Sequence, residues 1–300
     1  MIYLNKFLYC LFLGFFLFPF SVFSQYQFSN KIDPSNCRQG EQIEFCRTHH
    51  VMNKLKNNPA YLKVFKECQD EMQEQELKIR AGADKSVVYT IPVVFHVLHN
   101  GGAENISQDQ IDDAMFILNR DYNLQNSDAN NVQSVFQGMP SDVQLEFKLA
   151  TKAPNGQCFS GVTRTQNALS YNGSDGSLQV SAIISGNNVY NNPWPGNRYV
   201  NIFVCGEIGG AAGYTTNPSP FTGSSMYNGI WVLHDYVGSI GTSSQYSSRT
   251  LTHEVGHWLN LDHTWSDNNN PGNASSCNDD DNCDDTPRCI GVSSCNLTSN

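Results

Sequence analysis

Three histidines and a glutamate stand close together in the run His253-Glu254-Val255-Gly256-His257-Trp258-Leu259-Asn260-Leu261-Asp262-His263. On a helix, residues four apart share a face, so His253 and His257 can grip one ion. Glu254 turns to a neighbouring face, where its carboxylate is free to act on a water instead of binding metal. His263 follows six residues after His257. A continuous helix would carry it too far along the axis to reach the same ion. The chain must therefore turn near Asn260, and Asn is second only to glycine in adopting the left-handed conformation that stops a helix. Three protein nitrogens with an open fourth position make the catalytic arrangement of zinc; structural sites close that position. A lone His-x-x-x-His pair is common on helices as packing or surface residues. Glu254, a turn residue and His263 in the same short run argue for a metal.

Such a site needs a scaffold. Leu251, Val255, Trp258 and Leu259 give the histidine helix an apolar face to anchor it. Upstream, Tyr89 to Leu98 is β-branched and aromatic, as expected of a buried strand. Ser107 with Gln110 resembles a capping box, and Ile111, Met115, Leu118 and Tyr122 mark the buried stripe of the helix it opens. Val143 to Leu149 alternates apolar and polar residues, so one face lies in the core. Tyr199 to Val204 and Gly229 to His234 are two more expected strands, and Gly209 to Gly213 between them is flexible. Residues 151–197 are rich in Asn, Gly and Ser and read as loops, with one helix near Leu178 to Ile184. Residues 264–300 show almost no periodicity. The pattern predicts an α/β (α+β) fold with a mixed sheet. His96, His99 and His234 fall in strand-like segments and read as structural.

Residues 1–24 read as a secretory signal peptide: Lys6, an apolar run from Phe7 to Phe20, and Val22-Phe23-Ser24 at the cleavage site. The run is short for a membrane span. Export permits disulfides. Of the ten cysteines, Cys10 leaves with the signal. The remaining odd number predicts an unpaired thiol or an intermolecular bond. Cys277, Cys283, Cys289 and Cys295 are expected to form disulfides. Residues 25–85 carry ten Lys/Arg against nine Asp/Glu, whereas 86–300 carry seven against nineteen. This excess of acid disfavours nucleic acid and anionic membranes as partners of the main domain. Seven aspartates and no Lys or Arg lie between Asp262 and Asp285, which reads equally as a solvated loop or a divalent-cation site. Residues 25–85 look like a helical unit, with the small polar stretch 81–85 as its boundary.

The pattern His253-Glu254-x-x-His257-x-x-Asn260-x-x-His263 resembles the extended motif of the metzincin zinc endopeptidases, with Asn260 where glycine is usual. Within that clan the chain is most similar to the pappalysin family. Ile91-Pro-Val-Val-Phe-His-Val-Leu98, Leu118-Asn-Arg-Asp121, Tyr199 to Val204, Ala212-Gly-Tyr214, Val237 to Gly241, His263-Thr-Trp265 and Asp281-x-Cys283-x-Asp285-Thr286-Pro287 carry the likeness over about residues 86–300. The resemblance implies a mixed twisted sheet, a backing helix, a zinc-binding active-site helix and an irregular C-terminal subdomain. It also implies a secreted peptidase in which His253, His257 and His263 bind zinc and Glu254 is the general base. Protein or peptide substrates would pair extended with an edge strand near Gly209 to Thr216, with Tyr214 either positioning them or packing in the core. No membrane is a partner after signal removal, and the sequence carries no signal for an oligomeric state. Asp281 and Thr286, with Asp285 as a further candidate, match positions that bind a structural calcium in the family. Residues 25–85 become a propeptide. Cys46-Arg47-Thr48 resembles a Cys-Gly-Thr element whose thiolate takes the fourth zinc position in the zymogen; that role needs Cys46 free, with Cys37 paired to Cys68. A structural disulfide through Cys46 is the competing reading. The clan's methionine turn below the zinc has no counterpart after Met226, so a longer natural chain is expected. The alternative function is a non-catalytic secreted zinc-binding module on the same fold.

Overall fold

The computed structural model describes residues 43–80, 87–174, 176–216, 225–266, 268–273, 278–284 and 286–291, with 75–80 described as backbone alone. The expected signal peptide, the 81–85 boundary, Asp285, Cys37, Cys277 and Cys295 lie outside the described residues.

The core is a seven-stranded sheet. Its spine is β2 (Tyr89–His99), where Val93, Val94, Phe95, Val97 and Leu98 are fully buried. A strand covered on both faces needs such a continuous apolar run. One edge of β2 pairs in parallel with β3 (Leu145–Leu149) and then, further along, with β4 (Val162–Gln166). The other edge pairs in parallel with β5 (Val200–Cys205), which pairs in parallel with β7 (Ile230–Leu233). Next comes β6 (Ala211–Thr215), the antiparallel member, and outside it β1 (Glu44–Cys46), parallel to β6. The segment expected to be wholly helical thus also supplies the outermost strand. It continues as α1 (Thr48–Lys56) and α2 (Pro59–Arg80).

The strand signals appear where expected, with ends shifted by one or two residues. β4 is the exception: Val162-Thr-Arg-Thr-Gln166 carries one aliphatic residue, and its order comes from pairing with β2. Helix α3 (Gln108–Tyr122) opens on Ser107, whose hydroxyl accepts from the Gln110 amide nitrogen at 3.1 Å. The Gln110 side chain does not return to the cap as a full capping box requires. It is buried and donates to the carbonyls of His234 and Val237 at 3.0 and 2.9 Å, pinning the 234–242 loop to α3. Helix α4 (Gly176–Gly186) covers the expected Leu178–Ile184 helix.

Helix α5 (Thr250–Trp258) carries His253 and His257 and is buried along its length. It rests on α3 through a small ion-pair network. Arg249, just before α5, forks onto Asp128 at 2.7 and 2.9 Å and reaches Asp121 at 3.3 Å. The Asp121 carboxylate also accepts from Thr252 Oγ1 at 3.3 Å, and Tyr122 Oη donates to the Thr252 carbonyl at 3.3 Å. Alternation along β6 divides the layers. Gly213 faces Glu254 of α5, while Tyr214 stacks on Trp231 at 4.9 Å beside Gly176 of α4.

His96 is the polar member of the β2 run. Its two ring nitrogens lie 2.8 Å from Thr163 Oγ1 and 3.0 Å from Asn201 Oδ1. Burial pushes its pKa down to about 4, so the ring is neutral at pH 7. His234 is buried beside Thr242 and His99 ends β2; none of the three approaches the histidine cluster described next.

Candidate metal centre

His253 and His257 project from one face of α5, as the four-residue spacing dictates. After Trp258 the chain reverses. Asn260 adopts φ 74°, and the Leu261 amide returns to the Gly256 carbonyl at 3.0 Å. This turn brings His263 back beside the helix. The three Nε2 atoms lie 3.0 Å (His253–His257), 3.3 Å (His257–His263) and 3.3 Å (His253–His263) apart.

The opposite ring nitrogens define the protonation. His257 Nδ1 donates to the Leu261 carbonyl at 2.7 Å, and His263 Nδ1 donates to the Asn268 carbonyl at 2.9 Å. A carbonyl oxygen only accepts, so in the neutral rings these two Nε2 atoms carry lone pairs. Burial lowers the pKa of all three histidines, to about 4 for His257 and well below the ordinary value for His253 and His263. Neutral imidazoles with facing lone pairs repel unless a cation sits between them. Nitrogens about 2.0–2.1 Å from a tetrahedral zinc lie about 3.3 Å from one another, the spacing found here. The residues therefore fit a zinc ion. The other ring contacts hold this geometry: Trp265 stacks on His263 at 4.5 Å, and its Nε1 donates to the Asn268 carbonyl that His263 also uses.

Glu254 lies beside the cluster, buried midway along α5. Burial pushes its carboxyl up to about 8, against hydrogen bonds from Thr48 and Cys46 that pull it down. Its Oε1 is buried with no hydrogen-bond partner among the described residues. Gly213 makes this packing possible: a Cβ there would stand 2.7 Å from Glu254 Cγ and 2.9 Å from its Oε1.

The fourth face of the cluster belongs to the 43–80 segment. Cys46 Sγ lies 3.4 Å from His257 Nε2 and 4.0 Å from Glu254 Oε2. The Cys46, His253, His257 and His263 ligand atoms all fall within 4.8 Å of one another. Cys46 is a buried free thiol, so no disulfide consumes it. Register explains its placement: β1 runs along β6 with Cys46 opposite Gly213, the residue that also meets Glu254. The Cys46 carbonyl and Glu44 Oε1 accept from Asn269 Nδ2, and Arg47 Nη1 donates to the Gly209 carbonyl.

Thr48 escaped the sequence reading except as part of the Cys-Arg-Thr element. Its Oγ1 donates to Glu254 Oε2 at 3.1 Å and accepts from the Thr215 amide at 3.0 Å. The partners are more than 160 residues away in sequence, and no local spacing announces them.

Other expected positions fall elsewhere. Tyr214 is in the core against Trp231, turned from the cleft. Asp281 is buried, accepts from the Cys283 amide at 3.0 Å, and is pushed up to about 7, first by burial. Thr286 shares its turn: its backbone amide donates a hydrogen bond to the Cys283 carbonyl at 3.0 Å. The reading of Cys277, Cys283, Cys289 and Cys295 as two bridges needs correction. Cys289 is a free thiol, turned toward the Thr264 carbonyl at 3.4 Å, where it supports the His263-Thr-Trp265 turn.

A family model for peptidase M43, described as pregnancy-associated plasma protein-A, matches residues 183–299. An extracellular metalloprotease of Colletotrichum graminicola is 33% identical over 143 residues, 44% of this chain and 48% of that protein; the match thus spans about half of that relative's length. Two solved structures from Tannerella forsythia share the architecture. Mature mirolysin with a cleaved peptide is 35% identical, with TM-score 0.56 over 68% of this chain and 73% of that one. A promirolysin mutant is 30% identical, with TM-score 0.60 over 81% and 76%. With the histidine cluster, the glutamate beside it and this shared sheet, the chain belongs to the pappalysin family of metzincin metallopeptidases.

Proposed function

We propose that this chain is a secreted zinc endopeptidase made in a latent form. The observation that supports this best is the convergence of three neutral Nε2 atoms within 3.0–3.3 Å, with the Glu254 carboxylate beside them. His253, His257 and His263 would hold a zinc ion, which when bound would polarise a peptide carbonyl and acidify a water. Glu254 takes the proton of the attacking water and passes it to the departing amine. Gly213 keeps space open for that carboxylate. An extended peptide binds by strand addition to β6, whose free edge is the one that β1 covers in the unprocessed chain.

Latency follows from the same contacts. Cys46 would supply the fourth ligand, as a thiolate once a bound cation displaces the proton that burial and the neighbouring Glu254 otherwise hold on the sulfur. Thr48 holds Glu254, and β1 fills the substrate edge. Removal of residues 25–85 exposes all three. Asp281 and Thr286 are proposed calcium ligands, in keeping with a buried carboxylate whose raised pKa a hard cation would reverse. Extracellular relatives and the expected signal peptide support secretion; among the described residues no helix is long and apolar enough to cross a membrane.

Cleavage of casein by the processed chain, together with zinc content by atomic absorption, tests this reading. Glu254→Ala is expected to retain stoichiometric zinc and lose hydrolysis by at least about a thousandfold. Equal hydrolysis by both proteins would remove the peptidase claim and leave a zinc-binding module. His263→Ala is expected to lower zinc occupancy.

A further inference from the structure

Asn260 occupies a left-handed position, φ 74°, where glycine fits without strain and every other residue carries a cost. The turn itself needs only backbone: the Asn260 amide donates to the His257 carbonyl at 2.8 Å, and the Leu261 amide to Gly256. The Asn260 side chain does something else. Its Oδ1 accepts from Gln69 Nε2 at 3.0 Å, and its Nδ2 donates to Gln69 Oε1 at 3.3 Å. The two amides pair in both directions, and neither has a further hydrogen-bond partner among the described residues. Gln69 lies in α2, beyond the strand and helix that fill the cleft. Helix α2 leans on α1, with Lys56 Nζ over the Phe65 ring and Tyr61 Oη reaching Met52 Sδ. Through Gln69 it also reaches the turn that swings His263 into place.

We propose that Asn260 is a docking residue for the inhibitory segment: its side chain recognises Gln69 and clamps α2 over the histidine turn. This rests on the reading of 43–80 as the segment that silences the zinc site, and it deepens that reading. Cys46 and Thr48 act inside the cleft; Gln69 acts outside it, on the backbone turn that positions one ligand. The clamp matches segment to domain by side-chain identity, because a glycine at 260 would form the same turn and offer no amide.

The test is a double-mutant cycle on the full-length chain, zinc-loaded and metal-depleted, with Gln69→Ala, Asn260→Gly and the pair. Amide hydrogen exchange along α2 reports docking without any need for catalysis. Each single substitution is expected to speed exchange in residues 59–74 roughly thirtyfold, the loss of two net hydrogen bonds, and the pair no more than either alone. Ala is a better helix former than Gln, so intrinsic helix propensity works against the expected sign at position 69. Relief of the left-handed turn is equal in docked and undocked states and cancels. Unchanged exchange in both singles overturns the proposal, and so do single effects that simply multiply in the pair. Zinc content measured on the same samples separates the two readings. Coupling in chains that take up no zinc on loading sinks the metal site and keeps the clamp, whereas zinc uptake without coupling sinks the clamp alone.

Discussion

Removing one hydroxyl should unlock the cleft while leaving the three clustered histidines and Cys46 in place. Thr48 is buried, and its Oγ1 serves two partners, Glu254 Oε2 at 3.1 Å and the Thr215 amide at 3.0 Å. Valine has the same shape and neither function. In the docked state, Thr48→Val leaves a buried amide of β6 unpaired and strips Glu254 of a donor. After release both groups meet water, so the penalty falls on the docked state alone. An unpaired buried amide costs about 1–3 kcal/mol and a net hydrogen bond is worth about 1 kcal/mol, more if the acceptor is charged. The docked state therefore loses about 2–4 kcal/mol, and the open fraction rises roughly 30- to 800-fold. The assay is hydrolysis of a quenched peptide by the unprocessed chain, with amide exchange at β1 as the metal-independent readout. Thr48→Ser keeps the hydroxyl and should remain latent, which separates the hydrogen bonds from packing of the methyl group. If Thr48→Val stays as silent as the parent while Cys46→Ala becomes active, the hydroxyl contributes nothing to latency and the reasoning fails.

Further outcomes follow from the same geometry. Gly213→Ala places a methyl 2.7 Å from Glu254 Cγ; it should bind zinc normally yet lose roughly a hundredfold in turnover from a displaced base, and near-normal turnover would show that Glu254 has room to move. His96 has a folded pKa of about 4 against an ordinary 6.5. The unfolded chain therefore binds the extra proton first, and stability is full above pH 6.5 and declines as pH falls toward 4. The loss approaches about 3 kcal/mol. Urea midpoints across that range should show this slope added to that of the other buried histidines, and His96→Asn should remove the His96 share and leave the part due to His253, His257 and His263. Calcium should raise the melting temperature of the parent chain and leave Asp281→Ala unmoved; an equal rise in both would place calcium elsewhere.

The spacing of His253, His257 and His263 was enough to name a metal and to require a turn at Asn260, because helix periodicity and the left-handed preference of Asn are local properties. The same holds for β2, whose unbroken apolar run has few homes other than the middle of a sheet, and for the helix opened by Ser107. Cys46 was legible as a candidate ligand by resemblance. Its competition with a disulfide was not resolvable from spacing, since the outcome depends on which register β1 takes against β6. Thr48, Gly213 and Gln69 were silent for a related reason. Each acts on a group far away in the chain, and only packing brings Glu254, Thr215 and Asn260 to them. Tyr214 and Cys289 show the converse: both looked available for another role, and burial against Trp231 and the Thr264 carbonyl took them out of it. Sequence by itself determined the spacing of the three histidines and the turn that gathers their rings, as consequences of short-range backbone geometry. Which side chains close the cleft around that set was decided by strand register and layer packing, which are collective properties of the folded chain.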